Sequence, residues 1–530
     1  VTEAPSLART GSPDCGRVAD VVHWLRDRLA DGAQLAGDSR DVRPGDAFFA
    51  FVGVHSDGRD FVGQALERGA RAVLWQDDEP QRRSDPGSGA CGVAALLRER
   101  GDVAGRAVAG LRDLSGPIAA EFYGQPSARL DLVAVTGTNG KTSTTHWIAQ
   151  GLQSQGRSAA VIGTLGSGPL DALDPFGLTT PDALRLQRML AGFVGQGVSV
   201  VAAEASSIGL HQGRFDGARI AVAVFTNLTH DHLDYHRTMA DYAAAKAMLF
   251  ARGGLTAAVV NVDDDAARQM LAAVRGPGVQ TIGYGLVPFE PRPGIARRLF
   301  AERITPRPDG ADLTLAGDFG EAQIALAVLG RFNVANALAA AATWLALGLS
   351  FEQVVASLKV LRPVRGRMQI VEAPAGRHPL VVVDYAHTPD ALSNVLQTLR
   401  PVAEVRGGQL WCVFGAGGDR DPAKRPVMGR IAQQLADRVM VTSDNPRGEA
   451  PLAIIGDIRA GLDREPQGVE PDRGRAIARA IGEAAAADVV VIAGKGHEDY
   501  QEIEGRRLPF SDVRETQRAF ARRSSGSRHG

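Results

Sequence analysis

Gly137-Thr138-Asn139-Gly140-Lys141-Thr142-Ser143 follows directly on the apolar run Leu132–Val135. A glycine-rich turn at the end of a strand lets backbone N–H groups converge on an anion, and the start of the next helix adds its positive dipole end. Lys141 then has the charge to neutralise terminal phosphates, and the Thr142 hydroxyl is an oxygen ligand for Mg²⁺. The run predicts a site for the phosphates of ATP. Its spacing departs from the common Walker A loop, which needs a glycine where this chain has Val135. A tight Gly-Asn turn is the alternative reading, but it gives no use to the lysine and threonine.

A second cluster, Asn227 to His236, packs three histidines and two aspartates into ten residues. Beside a phosphate loop the relevant ion is Mg²⁺, which prefers carboxylate and hydroxyl oxygens, and Glu204 at the end of the run Val198–Ala203 is the carboxylate best suited to it. The lesser alternative, weightier for His230 and His236 than for His232, is that the histidines cap turns and the aspartates start a helix. Lys246 is the one long polar residue among the alanines of Asp241–Lys246. Alone it reads as a solvated lysine; near two metals its neutral amine could take up CO₂ as a carbamate.

Positioning these residues requires an open sheet. Strand-like runs at Leu130–Val135, Ser158–Ile162, Val198–Ala203, Ile220–Phe225 and Thr256–Asn261 alternate with helical patterns, which argues for a parallel sheet with crossover helices. A smaller α/β unit precedes it, with apolar runs at Ala47–Val52 and Ala70–Trp75. A third α/β unit follows the linker-like Leu361-Arg362-Pro363, with runs at Leu380–Val383, Gln409–Phe414, Arg438–Thr442 and Val489–Ala493. The expected α/β fold has three domains, at 1–126, 127–362 and 363–530. Polar motifs close each C-terminal run, at the edge where open sheets bind ligands. Pro288–Pro308 reads as an irregular excursion, and Arg522–Gly530 as a disordered tail.

A chain of 530 residues exceeds one core. The net charge of −1 supplies no basic field for a nucleic acid. Cys15, Cys91 and Cys412 lack metal spacing and an even count, which suits a reducing compartment and a role as buried filler. No apolar run approaches the roughly 18 residues that span a bilayer, and no secretion signal is visible, so no membrane anchor and a cytoplasmic location are expected.

Taken together, these motifs resemble the Mur ligase family. The likeness runs from about residue 35 to 515. It is carried by Asp38-Ser39-Arg40, Gly137–Thr142, Thr179-Thr180-Pro181, Glu204–Ser207, Thr226–His236, Ala243–Lys246, Gly330–Asn336, Gly366-Arg367-Met368, Asp384–Asp390, Gly417–Arg425, Asp444–Arg447 and Gly494–Tyr500. The resemblance implies an N-terminal domain for a UDP-linked substrate, a central ATPase domain and a Rossmann-like C-terminal domain for an amino acid. It implies that a substrate carboxylate attacks the γ-phosphate of ATP, and that an amine then displaces phosphate from the acyl phosphate. Lys141, Glu204, His232 and Lys246 would be catalytic. Thr142, Glu204, His232 and a carbamylated Lys246 would hold Mg²⁺.

The resemblance assigns Gly137–Ser143, Asn336, Arg367 and Asp384 to ATP, with domain closure completing the site. It assigns Ser39, and less firmly the turn at His55, to uridine. Thr179, Thr180, Ser206, Gln212 and Arg214 would hold the sugar-peptide part. Ile208 stands where many relatives carry histidine and receives no polar role. Asp444-Asn445-Pro446-Arg447 matches the form found in members that add meso-diaminopimelate to UDP-N-acetylmuramoyl-L-alanyl-D-glutamate, whereas lysine-adding members lack the arginine. An arginine suits the distal carboxylate that distinguishes diaminopimelate from lysine. Arg420, Gly494 and Glu498 join that set, Glu498 meeting an ammonium; a solvated Arg447 is the alternative. The lysine-adding members and the related folylpolyglutamate synthases remain the competing activities. A monomer is expected.

Overall fold

The computed structural model describes residues 15–53, 56–77, 90–307 and 309–526. It resolves into two compact units, one of Val1–Lys141, Gly156–Val260 and Asp264–Thr281, the other of Thr142–Gln155, Asn261–Asp263 and Ile282–Gly530.

In the first unit the short apolar runs become a four-stranded parallel sheet, in the order β1 (Leu35–Ala36), β2 (Ala47–Ala50), β3 (Ala72–Trp75) and β4 (Ala104–Ala107). Both faces are covered, so Phe48 and Phe49 point to opposite cores and are each almost fully buried. The strands of the following sheet are β5 (Asp131–Thr136), β6 (Ala159–Gly163), β7 (Gly166–Gly168), β8 (Val200–Glu204), β9 (Val222–Phe225) and β10 (Ala257–Asn261). Within this unit they run in the order β10-β9-β5-β8-β6-β7, all parallel except β7. β5 lies at the middle, which brings the phosphate loop after it between the carboxyl ends of β8 and β9.

The two sheets of this unit are fastened together. Leu184, on the helix Ala183–Gly195, joins the core of the N-terminal sheet. Gly116, on the helix Leu111–Phe122, meets the chain at Asp216-Gly217 so closely that a Cβ on Gly116 would fall on the Asp216 carbonyl, and one on Gly217 on the Gly116 carbonyl.

In the second unit β11 (Gln280–Gly285) pairs in parallel with β12 (Arg297–Arg307), and β13 (Gly310–Gly317) and β14 (Ala322–Leu326) continue antiparallel. Most of the segment expected to be irregular is therefore an eleven-residue strand. Leu299 and Ala301 are buried while Glu302 and Arg303 are exposed, so the strand has one covered face, and its four arginines and Pro306 hid it. The remaining strands are β15 (Gln369–Val371), β16 (Leu380–Asp384), β17 (Leu410–Phe414), β18 (Arg438–Val441), β19 (Gly468–Val469) and β20 (Val489–Ala493), in the order β15-β16-β20-β17-β18-β19 and parallel except β15. Thr388 caps the helix Pro389–Arg406 by accepting from the Ala391 N–H, Pro389 opens it, and Gly407 closes it in the left-handed region. The helix Asp512–Gly526 replaces the first part of the expected disordered tail. Cys412 is buried as expected, but Cys15 is exposed.

Candidate functional site

The phosphate loop is shaped by its neighbours. At Gly137, with φ +152°, a Cβ would fall on the Thr226 hydroxyl. The Thr138 N–H donates to the Asn227 carbonyl at 2.8 Å, and the Asn139 N–H to Asn227 Oδ1 at 2.9 Å. Thr226 Oγ1 and Asn227 Nδ2 both donate to the Asn139 carbonyl, at 2.6 and 3.0 Å. Lys141 Nζ lies back over the loop, donating to the carbonyls of Gly137 and Thr138.

Glu204 ends β8 and is 1% exposed. Thr164 donates to it twice, from its N–H at 2.9 Å and its hydroxyl at 3.1 Å, and a Cβ on Gly163 would collide with its carboxylate. Thr180 Oγ1 donates to the Glu204 carbonyl at 2.7 Å and shares a hydrogen bond with Ser206 Oγ at 3.0 Å. Arg214 donates to the Thr180 carbonyl and, through Nε and Nη2, to Gln212 Oε1. Burial pulls the Arg214 guanidinium below the ordinary arginine value. Thr179, Thr180, Glu204, Ser206, Gln212 and Arg214 thus form one connected polar floor, Thr179 entering through Thr164 at 3.2 Å.

His232 sits in the left-handed region at φ +52° and is half-exposed, with Nε2 3.6 Å from Asp231 Oδ2. Lys246 is 1% exposed. Burial first, then the charge of Lys141, pushes its ammonium well below the usual lysine value, against the opposing pull of Asp231. That direction favours the neutral, nucleophilic form of the amine. His236 is buried, its Nε2 sharing a hydrogen bond with Ser207 Oγ at 2.9 Å. His230 is exposed. His55 lies outside the described residues, and Ser39 is buried with its hydroxyl donating to Gln64 Oε1 at 2.6 Å.

In the second unit Thr142 accepts from Arg367 Nη2 at 3.4 Å, and the Arg367 guanidinium lies 4.5 Å over the Tyr385 ring. Asp384 accepts from the N–H groups of Met368 and Ala386; its burial raises its pKa, with Arg367 the leading opposing influence. Ser143 and Asn336 are buried, and Asn336 Nδ2 faces Asn333 Oδ1 at 3.4 Å.

The motif Asp444–Arg447 follows β18. Asp444 Oδ2 is buried and accepts no hydrogen bond from the described residues, and a Cβ on Gly494, at φ +120°, would fall on it. Asn445 donates to Glu498 Oε2 at 2.9 Å, and Lys495 Nζ bonds both Asn445 Oδ1 and Glu498 Oε2 at 2.8 Å. Arg447, at φ +52°, donates from Nη1 to the Gly418 carbonyl at 2.7 Å and lies 3.7 Å from Glu502. A Cβ built on Gly417 would stand 2.9 Å from Arg447 Nη1 and 3.8 Å from Arg420 Cγ, so the two arginines flank one bare stretch of backbone.

What holds these loops is not legible from the sequence. Arg473 and Asp512 are fully buried as an ion pair with contacts of 2.7 and 2.8 Å. Arg473 also donates to the carbonyls of Ser443 and Ala493, the residues immediately before Asp444 and Gly494. Helical spacing from Lys246 could have pointed to a partner at Tyr242; nothing local marks Arg473.

Parallel sheets with a phosphate loop, a buried carboxylate and a buried amine at their carboxyl ends define an α/β nucleotide-dependent ligase architecture. Family models agree: "Mur ligase middle domain" matches residues 135–344, "Mur ligase, glutamate ligase domain" 366–496, and "Mur ligase family, catalytic domain" 34–108. The chain belongs to the Mur ligase family. It is 44% identical to the "UDP-N-acetylmuramoyl-L-alanyl-D-glutamate--2,6-diaminopimelate ligase" of Ralstonia nicotianae, over 99% of each chain. It is 47% identical to the protein of the same name from Alkalilimnicola ehrlichii, over 92% of this chain and 95% of the relative. A solved structure of a ligase so named superposes with a TM-score of 0.65 at 35% identity, covering 96% of this chain and 99% of the other. The fold is shared with the MurF ligase of Thermotoga maritima in complex with ADP, at 17% identity and a TM-score of 0.61, over 94% and 100% of the two chains. No described helix is long and apolar enough to cross a membrane.

Proposed function

We propose that this protein joins meso-diaminopimelate to UDP-N-acetylmuramoyl-L-alanyl-D-glutamate at the expense of ATP. The observation that carries the choice of amino acid is that Arg447 Nη1 and the stem of Arg420 both lie beside Gly417, with Asp444 Oδ2, which accepts no hydrogen bond from the described residues, in the same motif as Arg447. Two guanidiniums suit a carboxylate on the distal carbon, and a buried carboxylate oxygen with no donor suits an ammonium. The names of relatives 44–47% identical support the same substrates.

A carboxylate oxygen of the muramoyl dipeptide attacks the γ-phosphorus; an acyl phosphate forms and ADP leaves. The amine of diaminopimelate then bonds to the acyl carbon, the C–O bond breaks, phosphate carries off its electron pair, and the amine loses a proton. Lys141 and the loop N–H groups hold the phosphates, with Asn336, Arg367 and Asp384 serving the nucleotide. Thr180, Ser206, Gln212 and Arg214 orient the dipeptide, and Ser39 the uridine.

A buried carboxylate and a threonine hydroxyl are the hard oxygen donors that Mg²⁺ selects, and the His232 imidazole would add a nitrogen donor. Mg²⁺ bound by Thr142, Glu204 and His232 would neutralise charge between two anionic reactants. Lys246 bonds through its neutral Nζ to the carbon of CO₂ and releases one proton, converting a buried amine into an anionic oxygen donor. A monomeric enzyme acting in the cytoplasm belongs to the same proposal.

Phosphate release tests the reading. It should require ATP, the UDP-linked dipeptide and meso-diaminopimelate together. Equal turnover with L-lysine in place of diaminopimelate, or with tetrahydrofolate and glutamate, would overturn it.

A further inference from the structure

Tyr242 lies on the helix Met239–Ala247, one turn before Lys246, and is 1% exposed. Its side chain meets three parts of the site at once. The hydroxyl shares a hydrogen bond with Thr138 Oγ1 at 3.1 Å. Thr138 Oγ1 also accepts from the Thr229 N–H at 3.0 Å and donates to the Thr229 carbonyl at 3.2 Å, so the hydroxyl enters the knot that ties the phosphate loop to the segment before His232. The ring faces Lys246, whose Nζ stands 4.2 Å from its centroid. On its remaining sides the ring packs against His236, with centroids 5.1 Å apart, and meets the His232 ring edge-on at 6.1 Å.

A rigid six-membered ring with a hydroxyl at one end fixes the separation of whatever its two ends hold, because it has only two rotatable bonds and both are locked by burial. We infer that Tyr242 is a positioning residue: its hydroxyl sets Thr138 of the phosphate loop, and its ring seats the Lys246 amine, so the loop and Lys246 are registered by one side chain. The inference rests on the reading above, in which the loop binds ATP and Lys246 carries a carbamate.

The two roles separate by substitution in the full chain. Tyr242→Phe keeps the ring and removes the hydroxyl; one hydrogen bond to a loop still held by Thr229 is worth about a 2- to 10-fold rise in KM for ATP. Its kcat and its ¹³C carbamate signal, read after equilibration with ¹³C-bicarbonate, should match those of the unsubstituted protein. Tyr242→Leu removes the seat, and the carbamate signal should fall by more than half with a parallel loss of kcat. Thr138→Val added to Tyr242→Phe should raise KM for ATP less than the product of the single effects, since both break the same bond.

Unchanged KM for ATP in Tyr242→Phe, or independent effects in the double variant, would overturn the inference. If Tyr242→Leu does not fold, the phenylalanine variant and the double variant decide alone. A missing carbamate signal in the unsubstituted protein would instead refute the reading of Lys246, leaving the hydroxyl-to-loop link to stand or fall on KM.

Discussion

Replacing Arg473 by methionine keeps much of the side-chain volume and deletes a guanidinium that is fully buried against Asp512. Removing one partner of such a pair strands the other charge, which costs about 3–5 kcal/mol. The carbonyls of Ser443 and Ala493 lose their donor as well, so the lower end of that range is the floor. At about 1.4 kcal/mol per factor of ten, the amides of β18 and β20 should lose about 10²- to 4 × 10³-fold of their hydrogen-exchange protection. Exchange read peptide by peptide suits a chain of several domains better than one unfolding midpoint does. Arg459→Ala provides the control, since its ion pair with Glu465 is solvent-exposed and such pairs contribute about 0–1 kcal/mol. Arg473→Met combined with Asp512→Leu should regain most of the protection, because no charge is then left buried. Protection in Arg473→Met within tenfold of that in Arg459→Ala would refute the claim that this pair anchors the ends of β18 and β20.

Arg447→Ala should raise KM for diaminopimelate about 10- to 100-fold, the worth of charge-assisted hydrogen bonds to a carboxylate, and leave KM for ATP unchanged; steady-state phosphate release with each substrate varied reads both. The Tyr123 phenol, which accepts from the Leu35 N–H and donates to Gln34, is pushed by burial to about 12. Its folded pKa exceeds the unfolded value near 10, so its contribution is complete below pH 10 and is lost as pH climbs from 10 towards 12. Tyr123→Phe should flatten the alkaline fall in melting temperature over that window, and an unaltered slope would contradict the assignment.

The parallel strands were legible because both faces of each sheet are covered, which leaves uninterrupted apolar runs such as Val489–Ala493. β12 was not, since a one-sided strand rich in arginine and proline carries no such run. The loop, Glu204 and Lys246 stood out because charge or glycine is conspicuous beside alanine and valine. Tyr242, Arg473 and Asp512 are ordinary residue types whose partners lie as much as 104 residues away, as from Tyr242 to Thr138, or 39, as from Arg473 to Asp512. Only folding reveals such pairs. The orphaned Asp444 Oδ2 is likewise invisible in a motif that records an aspartate but not its lack of a donor.

The mutual contact of Gly116 and Gly217 makes a molecular ruler of the first unit. At this point backbone meets backbone with no room for a side chain, so the approach of the two sheets between Ser39 and the polar floor at Glu204 has little slack there. On the proposed reading, a nucleotide-sugar peptide lies along that span, and a substrate one residue too short or too long would be rejected by reach alone, with its end chemistry intact. An alanine at either glycine would lengthen the ruler, and the set of accepted peptide lengths would shift with it.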